Sequence, residues 1–135
     1  MKLTFKYRKE QIKTRTVYRP VVKLSLKSID DHWYTFTAYV DSGADVSLFP
    51  KGDSELLGIN LYKGEYWKLS GVGGAIIPAY LHETRVKIGP LELPVRIAFA
   101  DLNQVPRIVG RLDIFSNFKI IFDERNLQTI FETYD

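Results

Sequence analysis

The sequence predicts an all-β fold, either a closed barrel or a sandwich, from three observations. Tyr and Phe, eight of each, and many Val residues favour strands. Apolar and polar residues alternate, as in residues 22–27 (VKLSLK), which is the period-2 pattern of a half-buried strand. Turn residues recur roughly every ten positions, so the strands are short. The length of 135 residues fits a single domain spanning residues 1–135.

The predicted strands form three hairpins and several single strands. A first hairpin joins residues 22–27 to 33–40, and a strand at 46–49 is ended by Pro50. Gly73 and Gly74 are a strong turn signal for a second hairpin. The other predicted strands are 66–72 and 75–88 in that hairpin, then 91–100 and 107–109, and finally 118–122 and 127–131 in the last hairpin.

The pattern indicates little helix. Residues 53–58 fit a single helical turn, with Asp53 capping its start and Gly58 closing it. Residues 111–118 are the best helix candidate, because Leu112 and Phe115 would lie on one side. We therefore expect one short helix near the C-terminal end.

The composition excludes several classes of active site. The chain has no cysteine, which excludes disulfides, zinc-thiolate sites and a cysteine nucleophile. His32 and His82 are the only histidines and lie far apart, so we expect neither a histidine metal site nor a Ser-His-Asp site. We expect no metal and no other cofactor. The first residues lack a signal-peptide core and no apolar run reaches membrane length, so we expect a cytoplasmic protein without membrane contact.

Basic residues are concentrated near the N-terminus. Residues 1–27 contain nine Lys or Arg and one acidic residue, Glu10, whereas the rest of the chain is acidic on balance. Such an arm suits nucleic acid or an anionic surface. However, the lysines from 23 to 27 alternate with leucines as on the solvated face of a strand, and no glycine-aromatic stacking motif accompanies the charge. We do not expect binding to nucleic acid, although salt-dependent binding through this arm stays an alternative.

The most informative stretch is DSGA at residues 41–44, set within YVDSGADVSLFP. Asp, Ser and Gly all favour turns, which explains the composition of the loop. Turn chemistry does not explain why one apolar strand runs directly into the loop and another runs out of it. Two further segments follow, a glycine-rich hairpin tip (GVGG, 71–74) and an apolar pair with a glycine and an arginine (RIVGR, 107–111). Each segment alone is weak evidence for a protein family, but the three together in this order and spacing are strong evidence.

Together these segments resemble the retropepsin family, the single-domain aspartic proteases of retroviruses and their cellular relatives. The resemblance covers about residues 20–122. It implies a closed retropepsin-type β-barrel with a flap hairpin and one short C-terminal helix. It also implies an aspartic endopeptidase acting on peptides or proteins, with Asp41 as the catalytic carboxylate. Ser42, in place of the commoner Thr, would hydrogen-bond to the equivalent loop of a partner, and Gly43 would allow close approach of the substrate backbone.

The resemblance also assigns roles outside the Asp41 loop. The flap tip would be Gly71, Val72, Gly73 and Gly74, with Val72 at its apex. Family side-chain pockets would be lined by Ala44, Leu48 and Ile108, although plain core positions would look the same in the sequence.

The resemblance further pairs Asp45 with Arg111. In the family, this pair forms a salt bridge within the subunit that supports the dimer contact, and Gly110 precedes the arginine in the same motif. The alternative is two ordinary surface charges. We expect the family arrangement because both residues lie inside matched motifs.

The chain has one Asp-Ser-Gly string and no second one. The two-lobed pepsin-like arrangement therefore does not fit by count or by length, and we expect a homodimer whose partner supplies the second carboxylate. Terminal strands at 1–16 or 118–133 are the expected interface, because exposed sheet edges invite pairing. Residues 1–16 would otherwise be a basic N-terminal extension. The competing interpretation is a retropepsin-fold module that binds or dimerises without proteolysis.

Overall fold

The computed structural model describes residues 1–134, except for the side chain of Val72, and most of its regular structure is β-strand. The strands are β1 (Lys2–Lys6), β2 (Arg8–Ile12), β3 (Arg15–Arg19), β4 (Val21–Lys27), β5 (Trp33–Val40), β6 (Ser47–Phe49), β7 (Glu65–Ser70), β8 (Ile76–Ile88), β9 (Leu91–Ala100), β10 (Ile108–Val109), β11 (Phe118–Asp123) and β12 (Gln128–Thr133). The helical segments are α1 (Lys51–Leu56) and two 3-10 turns at Leu61–Lys63 and Val72–Gly74.

Six strands close into a barrel in the order β4, β5, β10, β6, β9 and β8. The ring closes because β4 also pairs with β8, with Ser25 opposite Lys87 and Leu26 opposite Val86. β8 is long enough to do this and still pair its first half with β7, which lies outside the ring. The structure therefore confirms the barrel and not the sandwich.

Alternating side chains fill the barrel with one main core. In β4, Val22, Leu24 and Leu26 are buried, whereas Lys23 is exposed, as the period-2 pattern predicts. Aromatic rings continue the packing across the interior. Their contacts are edge-to-face for Phe36 on Phe49 (5.5 Å between centroids) and tilted for Phe49 on Phe99 (6.2 Å). This packed core makes the barrel a rigid scaffold that positions the loops at its ends.

The N-terminal segment forms three strands, where the sequence analysis expected either terminal strands within residues 1–16 or a basic extension and gave no strand bounds. β1 pairs with β12, which also pairs with β11, so both ends of the chain lie in one three-stranded sheet. β2 and β3 form a separate two-stranded hairpin. In β1 only Leu3 and Phe5 turn inward, half-buried between exposed neighbours. The many charged residues hide this short alternation.

The one short helix lies elsewhere than predicted. α1 is the only α-helix in the described part of the chain, and no helix among residues 1–134 is long and apolar enough to cross a membrane. Gly58 closes the α1 segment with φ +73°, as predicted. Asp53 does not cap it, because the N-cap is Pro50. The Asp53 carboxylate instead accepts two hydrogen bonds from Arg107, at 2.7 and 3.0 Å.

The predicted helix at 111–118 is wrong. This segment is a series of turns that includes Asp113 at φ +63°, a left-handed conformation that interrupts a helix. The Asp113 carboxylate accepts hydrogen bonds from the backbone N–H, Nε and Nη2 of Arg96, all at 2.9 Å. Asn117 Nδ2 also donates to the Asp113 carbonyl. The segment is shaped by its attachment to β9.

A buried crossing of strands positions the loop that starts at Asp41. β10 lies between β5 and β6, parallel to the first and antiparallel to the second. Immediately after β10, the Gly110 N–H donates to the buried Ser47 Oγ at 3.0 Å. A side chain at position 110 would press against the carbonyl oxygens of Val46 and Ala44, the second 2.8 Å from a Cβ. The crossing therefore requires glycine.

We predict that Gly110→Ala lowers the free energy of unfolding by about 3 kcal/mol, because the added methyl group meets rigid backbone. Urea unfolding followed by circular dichroism measures this. Gly71→Ala is the matched control: its φ is −94° and its nearest neighbour would be an ordinary 3.6 Å away. Equal stability of Gly110→Ala and the unsubstituted chain would contradict the argument.

We predict that Asp113→Asn lowers stability by about 0.5–1 kcal/mol at pH 7. The hydrogen bonds and charge of Arg96 hold the pKa of Asp113 below its ordinary value. Because the folded pKa is depressed, the stabilisation is present above the unfolded value of about 4 and is lost as the pH falls through the folded value. Asn tolerates the positive φ, so the backbone is unchanged.

Urea unfolding of both chains at pH 7 and again at about pH 2.5 tests this linkage. Asp31→Asn serves as control, since Asp31 also has a positive φ of +66° but its side chain is 84% exposed. If Asp113→Asn and the unsubstituted chain differed in free energy of unfolding by the same amount at both pH values, that result would rule out an ionic origin of the stabilisation.

Candidate active site

Asp41 lies where β5 runs into a tight loop. Its N–H donates to the Val109 carbonyl of the adjacent β10 at 2.9 Å, which fixes the start of the loop. The Gly43 N–H donates to Asp41 Oδ1 at 2.9 Å, and the Ala44 N–H donates to the Asp41 carbonyl at 3.2 Å. A Cβ at position 43 would lie only 3.3 Å from Asp41 Oδ1. The loop thus holds the carboxylate while leaving Asp41 exposed to solvent.

The segment after β10 is joined to the same loop by its backbone. The Arg111 N–H donates to the Ala44 carbonyl and the Leu112 N–H to the Asp45 carbonyl, both at 2.9 Å. The side chains of Arg111 and Asp45 approach to only 3.9 Å and are 58% and 86% exposed. Such an exposed pair contributes little in a single chain. Its role at a dimer contact stays a prediction.

A cavity of about 730 Å³ separates the Asp41 loop from the β7–β8 hairpin. We call it the cleft. Seven of the predicted site residues line it: Asp41, Gly43, Ala44, Asp45, Leu48, Gly71 and Ile108. Five others with described side chains do not line it: Ser42, Gly73, Gly74, Gly110 and Arg111. The side chain of Val72 lies outside the described residues.

The walls of the cleft are apolar and belong to a second hydrophobic cluster. Trp67 and Leu69 of β7 point to one side, half-buried between exposed neighbours, and Ile77 of β8 joins them. Leu48 and Ile108 provide the floor, so they serve both as core and as cavity lining. The sequence analysis missed Trp67 and Leu69, although the alternation of residues 65–70 carries their signal. The cleft can bury apolar side chains beside an exposed carboxylate.

The tip of the β7–β8 hairpin depends on glycine. The Gly71 N–H donates to the Ala75 carbonyl at 2.7 Å, and a 3-10 turn spans Val72–Gly74. Gly73 and Gly74 have φ of +81° and +82°, and a Cβ at either would meet no atom within 4 Å. Glycine is therefore favoured here by backbone conformation and not by crowding.

The described residues do not assemble a metal-binding cluster: among residues 1–134, no three Asp, Glu or His side chains come together as ligands would. The carboxylates that line the cleft are Asp41 and Asp45. Of the two, Asp41 is the one whose carboxylate accepts a hydrogen bond from the loop backbone, from the Gly43 N–H.

Comparisons with known proteins agree with this geometry. The model of a family described as "Aspartyl protease" matches residues 27–111. DNA damage-inducible protein 1 of the fungus Chaetomium globosum is 31% identical over 97 residues, which is 70% of this chain and 22% of that protein. The chain thus spans about a fifth of the length of this relative.

Solved structures share the fold. A retropepsin-like aspartic protease from Rickettsia conorii superposes with a TM-score of 0.65 at 17% identity, over 96% of this chain and 98% of the other. EIAV protease in complex with the inhibitor HBY-793 gives a TM-score of 0.51 at 22% identity, over 69% and 82%. These likenesses confirm the retropepsin-like barrel. With the family match extending over more than half of its length, the chain belongs to the aspartyl protease family.

Proposed function

We propose that this protein is an aspartic endopeptidase that works as a homodimer, with Asp41 of each subunit at a shared site. The observation that carries the proposal is the position of Asp41, exposed on the floor of an apolar cleft and held by the Gly43 N–H. The family membership supports peptide hydrolysis as the reaction.

Hydrolysis by carboxylates requires two groups in different protonation states. One ionised carboxylate activates a water molecule, and one protonated carboxyl donates a proton to the peptide. At about 3 Å and an effective dielectric constant near 20, two negative charges repel by about 5 kcal/mol. The pair therefore keeps one proton over an acidic to near-neutral range, and the apparent pKa values belong to the pair.

A symmetric partner is the simplest source of the second group. Asp45, the other carboxylate lining the cleft, faces Arg111 across the loop and lacks the backbone support that Asp41 has among the described residues. On a two-fold axis, one Asp41 would face another. The sheet of β1, β12 and β11 offers the interface, because β1 and β11 are its edges.

The β7–β8 hairpin would act as the flap. A peptide lying extended between the hairpin and the floor can add to strand edges through its backbone, while its side chains enter the apolar walls. Closure over the peptide would exclude water, and N–H groups of the tip would orient the scissile carbonyl.

We predict that Asp41→Asn lowers the rate of casein cleavage between pH 3 and 8 by about a hundredfold to ten-thousandfold, because Asn cannot accept the proton of the attacking water. The unsubstituted protein should show a bell-shaped acidic profile and inhibition by a statine-type compound. Asp31→Asn, the same change at the other end of β5, should keep full activity. Retained cleavage by Asp41→Asn would remove this residue from the mechanism. A dimer with no cleavage by either protein would favour the binding module.

Mixing tests the sharing of one site by two chains. After subunit exchange with an equal amount of Asp41→Asn at constant total chain concentration, a homodimer with a joint site should show about one quarter of the activity of the unsubstituted protein, since only unsubstituted pairs work. Independent chains would keep about one half. Sedimentation of the Asp41→Asn protein should show the same dimer as the unsubstituted chain.

We predict that Gly74→Ala lowers kcat/KM by about five- to tenfold, because Ala resists φ near +82° and alters the flap tip. Stability should fall by no more than about 1 kcal/mol. Gly89→Ala is the control, because Gly89 also has a positive φ, +57°, but lies in the β8–β9 turn away from the cleft. Equal loss of activity per folded molecule in both variants would contradict a flap role.

A further inference from the structure

The β2–β3 hairpin carries a charged cluster next to Asp41. Arg8 lies opposite Arg19 across the hairpin, and Glu10 is two residues from Arg8 on the same face. Glu10 is the only acidic residue among the first 27. The hairpin forms its own two-stranded sheet, so its side chains are free to serve something other than the barrel core.

Glu10 fixes this hairpin to the strand that carries Asp41. The Tyr39 hydroxyl donates to Glu10 Oε2 at 2.6 Å, and Tyr39 is two residues before Asp41 in the chain. Arg8 Nε donates to Oε2 and Arg19 Nε to Oε1, both at 3.0 Å. The Arg8 guanidinium also lies over the Tyr39 ring, 4.9 Å from its centroid. These contacts place the cluster at a defined position.

The cluster borders a second cavity of about 430 Å³, and the residues lining it include Glu10, Arg19, Tyr39 and Asp41. We call it the side cavity. It shares Asp41, Pro106 and Ile108 with the cleft. If a peptide lies in the cleft with one of its bonds at Asp41, the peptide residues next to that bond can therefore reach the side cavity.

The cluster has an excess of positive charge. Hydrogen bonds from Tyr39 and then from Arg8 hold the pKa of Glu10 below its ordinary value, so Glu10 is ionised and balances one of the two guanidinium groups. Both arginine side chains are nearly half exposed, at 43% and 45%. Among the described residues, the hydrogen bonds of Arg8 and Arg19 use only Nε. Their terminal Nη groups are available to a further carboxylate.

We propose that the side cavity binds an acidic side chain of the substrate and that Arg19 determines a preference for Glu or Asp close to the scissile bond. The proposal rests on the proposed endopeptidase function. Glu10, which is itself held by Tyr39, holds Arg19 through Nε, and the Nη groups of Arg19 would bind the incoming carboxylate. A two-fold dimer repeats the side cavity, so the preference applies at one position on each side of the bond.

Matched peptides test the preference. A synthetic parent peptide of casein sequence is made with Glu, Gln or Lys at each of the three positions on either side of the bond that is meant to be cut. The assay is run at about pH 6, where a substrate Glu is ionised. We expect kcat/KM to be about fivefold higher for Glu than for Gln at one position or one symmetric pair, as for a partly exposed charged hydrogen bond. Lys at the same position should be cut more slowly than Gln.

Substitution then assigns the preference to Arg19. In Arg19→Gln the ratio of kcat/KM for the Glu peptide to kcat/KM for the Gln peptide should fall to about one, because the loss is larger for the Glu peptide. Arg15→Gln, an exposed arginine of the same hairpin that does not line the side cavity, should keep the ratio. A ratio unchanged in Arg19→Gln, or an equal loss on both peptides with a weakened dimer in sedimentation, would overturn the proposal.

Binding without turnover separates this inference from the proposed function. The Asp41→Asn protein should bind the fluorescent Glu peptide about fivefold more tightly than the Gln peptide, measured by anisotropy, and lose this difference when Arg19→Gln is added. A binding preference without cleavage by the unsubstituted protein would refute the endopeptidase and support the side cavity. Cleavage with no Glu preference at any position would support the endopeptidase and refute the role of the side cavity.

Discussion

The architecture depends on one backbone crossing, where β10 enters between β5 and β6. The Val109 carbonyl accepts from the Asp41 N–H, and the Gly110 N–H donates to Ser47 Oγ. These bonds are buried or lie at the edge of the core, where an unpaired backbone group is costly. The position of the catalytic candidate is thus set by backbone N–H groups that bond to distant segments, one to a carbonyl and one to a buried hydroxyl, and surface side-chain changes do not disturb them.

The sequence predicts most of the barrel because alternation is strong wherever a strand has one buried face. It also predicts the loop that follows β5 and the glycine turn between β7 and β8, since both depend on local motifs. It fails where tertiary contacts override local preference. Asp113 is held in a left-handed conformation by Arg96, and Asp53 binds Arg107 in place of capping α1. Neither partner is near in sequence, so no local pattern could reveal them.

The N-terminal strands show a different limit of sequence analysis. In β1 to β3 the inward positions are only half-buried, and charged residues occupy most of the others. The segment looks like a solvated arm until its partner β12 is known. The link from Glu10 to Tyr39 is hidden for the same reason, because it joins residues 29 positions apart. Composition detected the positive charge but not its position beside Asp41.

The pairing of β1 with β12 brings the two ends of the chain together. The Met1 amino group donates to Thr133 Oγ1 at 2.9 Å, and the Thr133 N–H donates to the Met1 carbonyl at 3.0 Å. Any host polypeptide would therefore enter and leave the domain at a single point, as an insertion needs. A short linker across that point would join the ends without stretching the barrel, and new ends could then be opened at an exposed turn.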